Sequence, residues 1–339
     1  MNYIIYKNEN ALFFECNYSC DNAIFLKLGS NSYFITDGRY EIDAKEHISN
    51  AKVLITNSLI DKLAYLLKKN RVKKVTIDPT EWNIFSYERL KSLTPTKFKF
   101  LANFSHKKRI IKSEQEIKYL KNAVKIGKNS FKKISYALSN LEGASELELN
   151  FLAESYLRDY GNRDISFEPI LAINANTAKP HALPSKDKLK YGDLILLDAG
   201  VKYKRYCSDR TRTVYFKENF KFNYKQNFKS KKIQKAYNTV LKAHDIAIKK
   251  AKSGMKAKQI DALARDIINK AGFGKYFVHS TGHGVGLDIH EMPYISTKSD
   301  TIIEDGMVYT IEPGIYIDGE FGIRIEDMVV MQNGKAVVL

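Results

Sequence analysis

Apolar and polar positions along the first part of the chain alternate between strand-like and helix-like patterns. In AIFLKLGSNSYFITD, two apolar runs flank a Gly-Ser-Asn-Ser turn, which is the pattern of a β-hairpin. The following segments predict, in order, a helix, a strand, a helix and a strand: RYEIDAKEH, KVLITN, IDKLAYLLKKN and KKVTIDP. Residues 1–105 are therefore predicted to form a small α/β domain with a mixed sheet.

The pattern changes near residue 105, where longer helical stripes begin. Ser113 and Glu116 have the spacing of a capping box, and a helical stripe of apolar residues follows them. Three more amphipathic helices and several strand-like segments are predicted beyond it. Residues 106–339 are therefore predicted as a second domain, in which helices pack on one side of a curved, mainly antiparallel sheet. The fold class of the whole chain is then α/β (α+β).

Length and composition agree with this division and narrow the setting. At 339 residues the chain exceeds the size at which a single core usually stops growing. The first residues lack the basic and apolar regions of a signal peptide, and no apolar run approaches about 18 residues. We therefore expect a cytoplasmic protein without membrane spans. The three cysteines form no disulfide framework or zinc pattern, which favours buried free thiols.

The charge is strongly positive, with a formal net charge of +17. Such a charge can mark a nucleic-acid-binding protein, but the lysines are spread over the whole chain, so we do not favour nucleic acid as a partner. Residues 216–232, FKENFKFNYKQNFKSKK, interleave aromatic and basic side chains, a pattern that suits single-stranded nucleic acid. We favour the alternative for this segment, a β-extension whose aromatic face packs on the domain.

A glycine-rich stretch, STGHGVGLDIHE at residues 280–291, holds His283 and His290, and His279 lies just before it. Glycine is unfavourable in helices, so the stretch is predicted to be extended or looped and to bring imidazoles to one place. A glycine-rich turn with incidental histidines is the simpler alternative. The polar residues elsewhere in the chain decide between the two.

Four carboxylates interrupt apolar, strand-like sequence. Asp198 ends the run LILL, and Asp209 follows eleven residues later, where a hairpin would return it to the same place. Glu312 lies in YTIEPGIYI, and Glu326 lies in FGIRIEDMVV. Taken singly, these acids have simpler explanations, such as a turn at Asp198 or a buried Arg324–Glu326 ion pair. Carboxylates buried together, however, need cations between them or must hold protons.

With His283 added, these acids form a set of five candidate metal ligands. Such a set can hold two divalent ions about 3.5–4 Å apart. Oxygen-rich coordination favours Mn²⁺, with Co²⁺, Fe²⁺ and Zn²⁺ as alternatives. Two divalent metal ions per chain are therefore the expected cofactors.

The order of these motifs resembles that of the pita-bread (M24) metallopeptidases, a family that includes methionine aminopeptidase, aminopeptidase P, prolidase and creatinase. The motifs are Asp198, Asp209, His283 in GHGVG, Glu312 in IEPG and Glu326 in RIED. The resemblance implies that Asp198 binds one ion, that His283 and Glu312 bind the other, and that Asp209 and Glu326 bridge both. FITDGRYEIDA in the N-terminal half is similar to the aminopeptidase P and prolidase branch.

The same resemblance implies roles for residues around the ions. His290 would donate a hydrogen bond to the scissile peptide or its oxyanion, and Glu312 would accept and return a proton. His181 would face the substrate as a further catalytic residue. His279 and Arg324 would contribute to the substrate pocket. A hydroxide bridging the two ions would be the nucleophile.

The implied activity is that of a Xaa-Pro aminopeptidase, with a Xaa-Pro dipeptidase (prolidase) as the alternative. Its substrates would be proline-containing peptides, and the branch implies a homodimer. We expect the proline ring near His181, His279 and His290, with Tyr203 or Tyr206 beside it. Two other readings stay open: a non-catalytic protein of the same fold that engages nucleic acid, and a creatinase. The intact ligand set weighs against both.

Overall fold

The computed structural model describes all 339 residues. It divides into two compact units, Met1–Arg109 and Ile110–Leu339. The helix Phe104–Arg109 belongs to the first unit, so the division falls a few residues beyond the expected boundary at residue 105. No helix combines the length and the apolar character needed to cross a bilayer.

The first unit is built on a six-stranded mixed sheet in the order β4-β3-β2-β1-β5-β6. Its strands are β1 (Tyr3–Tyr6), β2 (Ala23–Leu28), β3 (Asn31–Thr36), β4 (Lys52–Ile55), β5 (Lys74–Ile77) and β6 (Lys97–Phe100). The predicted hairpin is confirmed as the antiparallel pair β2–β3, whereas β4, β5 and β6 pair in parallel with their neighbours.

Helices cover both faces of this sheet. Successive strand residues point to opposite faces, so the apolar side chains of one strand need packing partners on both sides. They are α1 (Glu9–Cys16), α2 (Glu41–His47), α3 (Leu59–Lys69), α4 (Ile84–Leu93) and α5 (Phe104–Arg109). Ile4 packs in one core with Leu63 and Leu67 of α3, and Ile5 packs in the other with Leu12 of α1. The predicted small α/β domain with a mixed sheet is therefore confirmed.

The second unit contains four helices of 12 to 25 residues. They are α6 (Glu114–Leu138), α7 (Glu146–Leu157), α8 (Lys231–Lys250) and α9 (Ala257–Lys270). The predicted capping box is present, since Ser113 accepts from the Glu116 amide and the Glu116 carboxylate accepts from the Ser113 amide.

The strands of the second unit form antiparallel sheets, as expected. β7 (Ile170–Ile173), β8 (Leu194–Asp198) and β11 (Thr211–Tyr215) form a three-stranded sheet, and β9 (Lys202–Tyr203) pairs with β10 (Tyr206–Cys207). A five-stranded sheet contains β12 (Gly282–Gly284), β13 (Glu291–Ile295), β14 (Val308–Ile311), β17 (Asp327–Gln332) and β18 (Lys335–Val338). β15 (Gly314–Ile317) and β16 (Phe321–Arg324) make a separate ribbon.

Glu312 and Glu326 lie at junctions between strands rather than within them. β14 ends at Ile311, and the chain passes Glu312 before it enters the β15–β16 ribbon. It passes Glu326 on its return from this ribbon into β17. Both glutamates therefore sit where the chain changes sheets, which frees their carboxylates from the alternation of a continuous strand.

The aromatic and basic segment after β11 packs on the domain, but it forms no strand. Phe216, Phe220 and Phe222 are buried and contact one another at ring-centroid distances of 5.3–5.5 Å. They join the core cluster that contains Phe131 of α6. The expected aromatic packing is correct, and the expected β-extension is wrong. All three cysteines are free and buried, as predicted.

Candidate metal centre

The first two carboxylates come from one antiparallel strand pair. Asp198 is the last residue of β8 and pairs in register with Thr211, the first residue of β11. The β9–β10 hairpin lies between the two strands, so the chain returns and places Asp209 just before β11. Both aspartates are buried, at 9% and 6% exposure. This is the return that the sequence spacing suggests.

His283 lies on β12, and the glycines around it are required by its neighbours. A Cβ on Gly282 would lie 1.9 Å from the Thr310 carbonyl oxygen, and one on Gly284 would lie 2.3 Å from the Met292 carbonyl oxygen. The glycines therefore allow close approach of adjacent strands. His283 Nδ1 donates to the Gly284 carbonyl oxygen at 3.1 Å, which leaves Nε2 to face the acids.

The candidate ligand atoms converge around Nε2 of His283. It lies 3.3 Å from Glu312 Oε1 and 3.6 Å from Asp209 Oδ2. Single ligand atoms of Asp209, His283 and Glu326 lie within 4.8 Å of one another, and all three residues are buried. Asp198 Oδ1 is also buried and has no hydrogen-bond partner. An unpartnered carboxylate oxygen beside such a cluster is costly unless a cation is there to pair with it.

The protonation of these groups reflects their crowding. Burial, reinforced by the charges of Glu326 and Asp198, raises the pKa of Asp209 well above its usual value. Burial and the charges of Glu312 and Asp198 raise the pKa of Glu326 in the same way. Burial also acts to raise the pKa of Glu312, but its hydrogen bond and charge interaction with His283 prevail and hold that pKa low. The cluster thus carries more negative charge than its burial tolerates without added cations.

Neutral side chains hold the acids in place, and sequence inspection did not find them. The Thr211 hydroxyl donates to Glu326 Oε2 at 2.6 Å, and the Thr310 hydroxyl donates to Glu312 Oε1 at 3.1 Å. Thr310 lies two residues before the glutamate that it contacts, which is a local signal for its role, whereas Thr211 contacts a glutamate 115 positions later in the chain and gives no such signal.

Arg324 pairs with Asp198 and not with Glu326. Its Nη2 donates to Asp198 Oδ2 at 2.7 Å, and its Nη1 donates to the Tyr316 hydroxyl at 2.7 Å. The alternative of a simple Arg324–Glu326 pair is therefore wrong. Strand alternation puts the two residues on one face, but the chain leaves β16 at Arg324, and the junction turns Glu326 away.

The remaining histidines surround the acid cluster. His279 Nδ1 donates to the Ser280 carbonyl oxygen at 2.7 Å, so its Nε2 accepts from the Tyr316 hydroxyl at 2.9 Å. The His290 ring stands edge-on to the His283 ring, with centroids 4.2 Å apart. Burial lowers the pKa of both His279 and His290, which keeps their imidazoles neutral near pH 7.

His181 is carried by the loop between β7 and β8, which the fully buried Glu146 anchors. The Glu146 carboxylate accepts from the Ile173 amide at 2.6 Å, the Asn176 side chain at 2.8 Å and the Ser185 amide at 2.7 Å. These hydrogen bonds hold both ends of the segment that contains His181.

The five candidate metal ligands, together with His181, His279, His290 and Arg324, line one cavity of about 770 Å³. Besides the acids, the cavity has an apolar wall. It is formed by residues that include Phe151, Phe167, Pro169, Leu183 and Ile289. Tyr203 and Tyr206 do not line it. Their rings lie 6.0 Å and 5.6 Å from that of Tyr119, so the suggestion that they flank the substrate is wrong.

Comparison with known proteins identifies the class of this fold and site. The sequence profile of metallopeptidase family M24 matches residues 118–333, and the chain belongs to this family. A relative named "Uncharacterized peptidase YqhT" from Bacillus subtilis (strain 168) is 35% identical over 313 residues, which are 91% of this chain and 85% of the relative.

Two solved structures are similar over almost the whole chain. A Xaa-Pro dipeptidase from Bacillus anthracis superimposes with a TM-score of 0.90 at 33% identity, covering 99% of this chain and 92% of that one. An X-Pro aminopeptidase from Thermotoga maritima MSB8 gives a TM-score of 0.87 at 30% identity, covering 99% and 94%. The resemblance and fold class inferred from the sequence are confirmed, and the protein is a metallo-exopeptidase of a family that binds divalent metal ions.

Proposed function

We propose that this protein is a Xaa-Pro aminopeptidase that works with two divalent metal ions, preferably Mn²⁺. The observation that carries the proposal is the meeting of four carboxylates and His283 in one cavity that also has a large apolar wall. An apolar wall suits a proline ring, which lacks an N–H and restricts the residue before it. The similar Xaa-Pro dipeptidase and X-Pro aminopeptidase support this specificity.

The residues that would hold the ions are Asp198, Asp209, His283, Glu312 and Glu326. The buried, unpartnered Oδ1 of Asp198 and the raised pKa values of Asp209 and Glu326 fit such ions, because cations would neutralise the crowded charge. Four carboxylates and one imidazole favour Mn²⁺ over softer metals. When bound, such ions supply an activated water and polarise the scissile carbonyl.

The residues of the chain then handle protons and orient the peptide. Glu312 has a lowered pKa and is ionised at neutral pH, so it can accept a proton and return it to the leaving nitrogen. His290 is neutral and can donate a ring N–H to the peptide oxygen as charge develops there. His181 and His279 would contact the substrate, and Arg324 would hold Asp198 in position.

The charges of the cavity favour an aminopeptidase over a dipeptidase. A Xaa-Pro dipeptide has a free carboxylate on its proline, which needs a cation when it is bound. Arg324 is the only lysine or arginine that lines the cavity, and its guanidinium already donates to Asp198, Tyr316 and Thr211. Glu154 and Glu168 also line the cavity, and Arg158, which pairs with both at 2.6 Å and 3.8 Å, does not line it, so the lining offers no free cation for a carboxylate.

The test compares three substrates on the Mn²⁺-loaded protein: Ala-Pro, Ala-Pro-amide and Ala-Pro-Ala. The amide removes the carboxylate of the dipeptide without adding a residue, so it separates the effect of charge from that of length. We expect kcat/KM for the amide and the tripeptide to exceed that for Ala-Pro by about tenfold or more, which corresponds to about 1.4 kcal/mol.

Ala-Ala-Ala serves as the control for the proline requirement and should be cleaved poorly. If Ala-Pro is the best substrate of the four, the protein is a dipeptidase and the charge argument is wrong. If none of the proline peptides is cleaved with any of Mn²⁺, Co²⁺, Fe²⁺ or Zn²⁺, the proposed function itself is wrong.

A further inference from the structure

Tyr224 differs in burial from the phenylalanines of its own segment, which connects β11 to α8. The phenylalanines of this segment pack in the core, whereas Tyr224 is 38% exposed and lies over a buried arginine. The Arg212 guanidinium is 4.4 Å from the centroid of the Tyr224 ring. An aromatic residue used only for packing would not need a hydroxyl at this point.

The Tyr224 hydroxyl completes a buried ion pair. It donates to Asp327 Oδ2 and accepts from Arg212 Nη2 at 2.9 Å. Arg212 Nη2 also lies 2.9 Å from each carboxylate oxygen of Asp327. Arg212 and Asp327 are only 1% and 4% exposed, so the pair is shielded from water. The hydroxyl is thus shared between both partners and restricts how they can move.

Arg212 connects this pair to Glu326. Its Nη1 donates to the Glu326 carbonyl oxygen at 2.5 Å and to the Thr211 carbonyl oxygen at 2.8 Å. The Thr211 carbonyl in turn accepts from the Glu326 amide at 3.1 Å, and the Thr211 hydroxyl donates to the Glu326 carboxylate. The backbone on both sides of Glu326 is therefore held by Arg212 and Thr211, at the junction where no strand pairing fixes it.

We propose that Tyr224 is a positioning residue for the metal centre. Its hydroxyl locks the Arg212–Asp327 pair, and this pair sets the orientation of the Glu326 carboxylate. The inference rests on the proposed function in one respect, the assignment of Glu326 as a metal ligand. It gives the aromatic and basic segment a role, because the packed phenylalanines anchor a loop that delivers one hydroxyl behind a ligand.

Tyr224→Phe tests the proposal, since it keeps the ring and its contact with Arg212 but removes the hydroxyl. Calorimetric titration of Mn²⁺ into the metal-stripped protein should show an affinity up to about tenfold weaker than that of the parent, the lower end of the loss on removing a direct partner of a metal ligand, because the hydroxyl reaches Glu326 only through Arg212. At saturating Mn²⁺, kcat for Ala-Pro-Ala should fall while KM changes less than about threefold, because the hydroxyl does not face the substrate cavity.

Tyr191→Phe is the matched control. The Tyr191 ring stacks on Phe216 at 5.0 Å, and its hydroxyl donates to the Ser139 carbonyl oxygen at 3.3 Å, away from Asp327. This variant should bind Mn²⁺ like the parent. Thermal unfolding of the metal-stripped parent and of both variants measures any general loss of stability. A loss of Mn²⁺ affinity in Tyr224→Phe without a matching loss of stability then separates a positioning role from a merely structural one.

Parental Mn²⁺ affinity in Tyr224→Phe would overturn the proposal, and so would an equal loss of affinity in Tyr191→Phe. The titration needs no substrate, so it separates this inference from the proposed function. A parent protein that binds Mn²⁺ but cleaves no Xaa-Pro peptide refutes the function and still allows the comparison. A parent that binds no divalent ion refutes the assignment of Glu326 and the inference with it.

Discussion

Replacing Asp209 by asparagine should stabilise the metal-free protein, but it should reduce the stability that the protein gains from bound metal. The ligand atoms of Asp209 and Glu326 lie within 4.8 Å. Two ionised carboxylates at that distance repel by about 3.5 kcal/mol at an effective dielectric constant of about 20. Asparagine has nearly the same shape and removes this repulsion. Without metal, Asp209→Asn should therefore be more stable than the parent at neutral pH.

The difference in stability between Asp209→Asn and the metal-stripped parent should depend on pH. The folded protein holds the proton of Asp209 more tightly than the unfolded chain, since its folded-state pKa is raised. The resulting stabilisation is complete below the unfolded pKa of about 3.9 and is lost as the pH rises through the folded value. The variant lacks this group, so its advantage over the metal-stripped parent should be smallest near pH 4 and grow towards pH 8.

Thermal unfolding in EDTA and in excess Mn²⁺ measures both effects. Because the parent relieves part of the repulsion by holding a proton, we expect the variant's Tm in EDTA at pH 8 to be higher by about 3–7 °C. With Mn²⁺ at about 100 times its Kd, the parent should gain about 2.7 kcal/mol, and the variant should gain much less. A variant that is less stable than the parent in EDTA and equally stabilised by Mn²⁺ would refute the reasoning.

Three further substitutions probe separate parts of the site. His290→Ala should keep parental Mn²⁺ affinity by calorimetry, while kcat falls by about 10²–10⁴-fold. An unchanged kcat would exclude a role for His290 in donating a proton or a hydrogen bond to the substrate. Glu146→Gln places an amide donor against donors such as the Ser185 amide. It should therefore lower the free energy of unfolding by about 1–3 kcal/mol in denaturant unfolding and raise KM. Parental values for both would show that the Glu146 carboxylate is dispensable. Gly322→Ala brings a Cβ to 1.9 Å from the Thr177 carbonyl oxygen and should cost about 1–3 kcal/mol, measured the same way, and a neutral effect would contradict the close approach.

The sequence alone predicted those features that depend on nearby residues. The hairpin, the capping box at Ser113 and the position of Asp198 at the end of a buried strand follow from local pattern and spacing. The meeting of Asp198 and Asp209 also follows, because a short hairpin is the simplest way to return the chain. Antiparallel sheets with helices packed on them were likewise accessible from the periodicity of the second region.

The features that the sequence did not predict depend on partners far away in the chain. Arg324 meets Asp198 across 126 positions of the sequence, and the alternation within its own strand pointed instead to Glu326. The aromatic segment was expected to form a strand because its phenylalanines alternate with polar residues, but their rings cluster without strand pairing. The role of Tyr224 could not be seen at all, because it needs the position of Asp327 103 residues later.

Several expectations stay predictions. They include the dimer, the location in the cell, the identity of the metal and the roles of His181 and His279. Sedimentation of the purified protein would determine whether it forms a homodimer, and metal analysis after purification would identify the ion it carries.

The central claim is that five residues from separate strands and junctions hold two divalent ions in one cavity. Anomalous diffraction from a crystal grown with Mn²⁺ tests it most directly. We expect two anomalous peaks within about 4 Å of each other, with Asp198, Asp209, His283, Glu312 and Glu326 as their protein ligands. Peaks bound by other residues, or no peak in this cavity at saturating Mn²⁺, would contradict it.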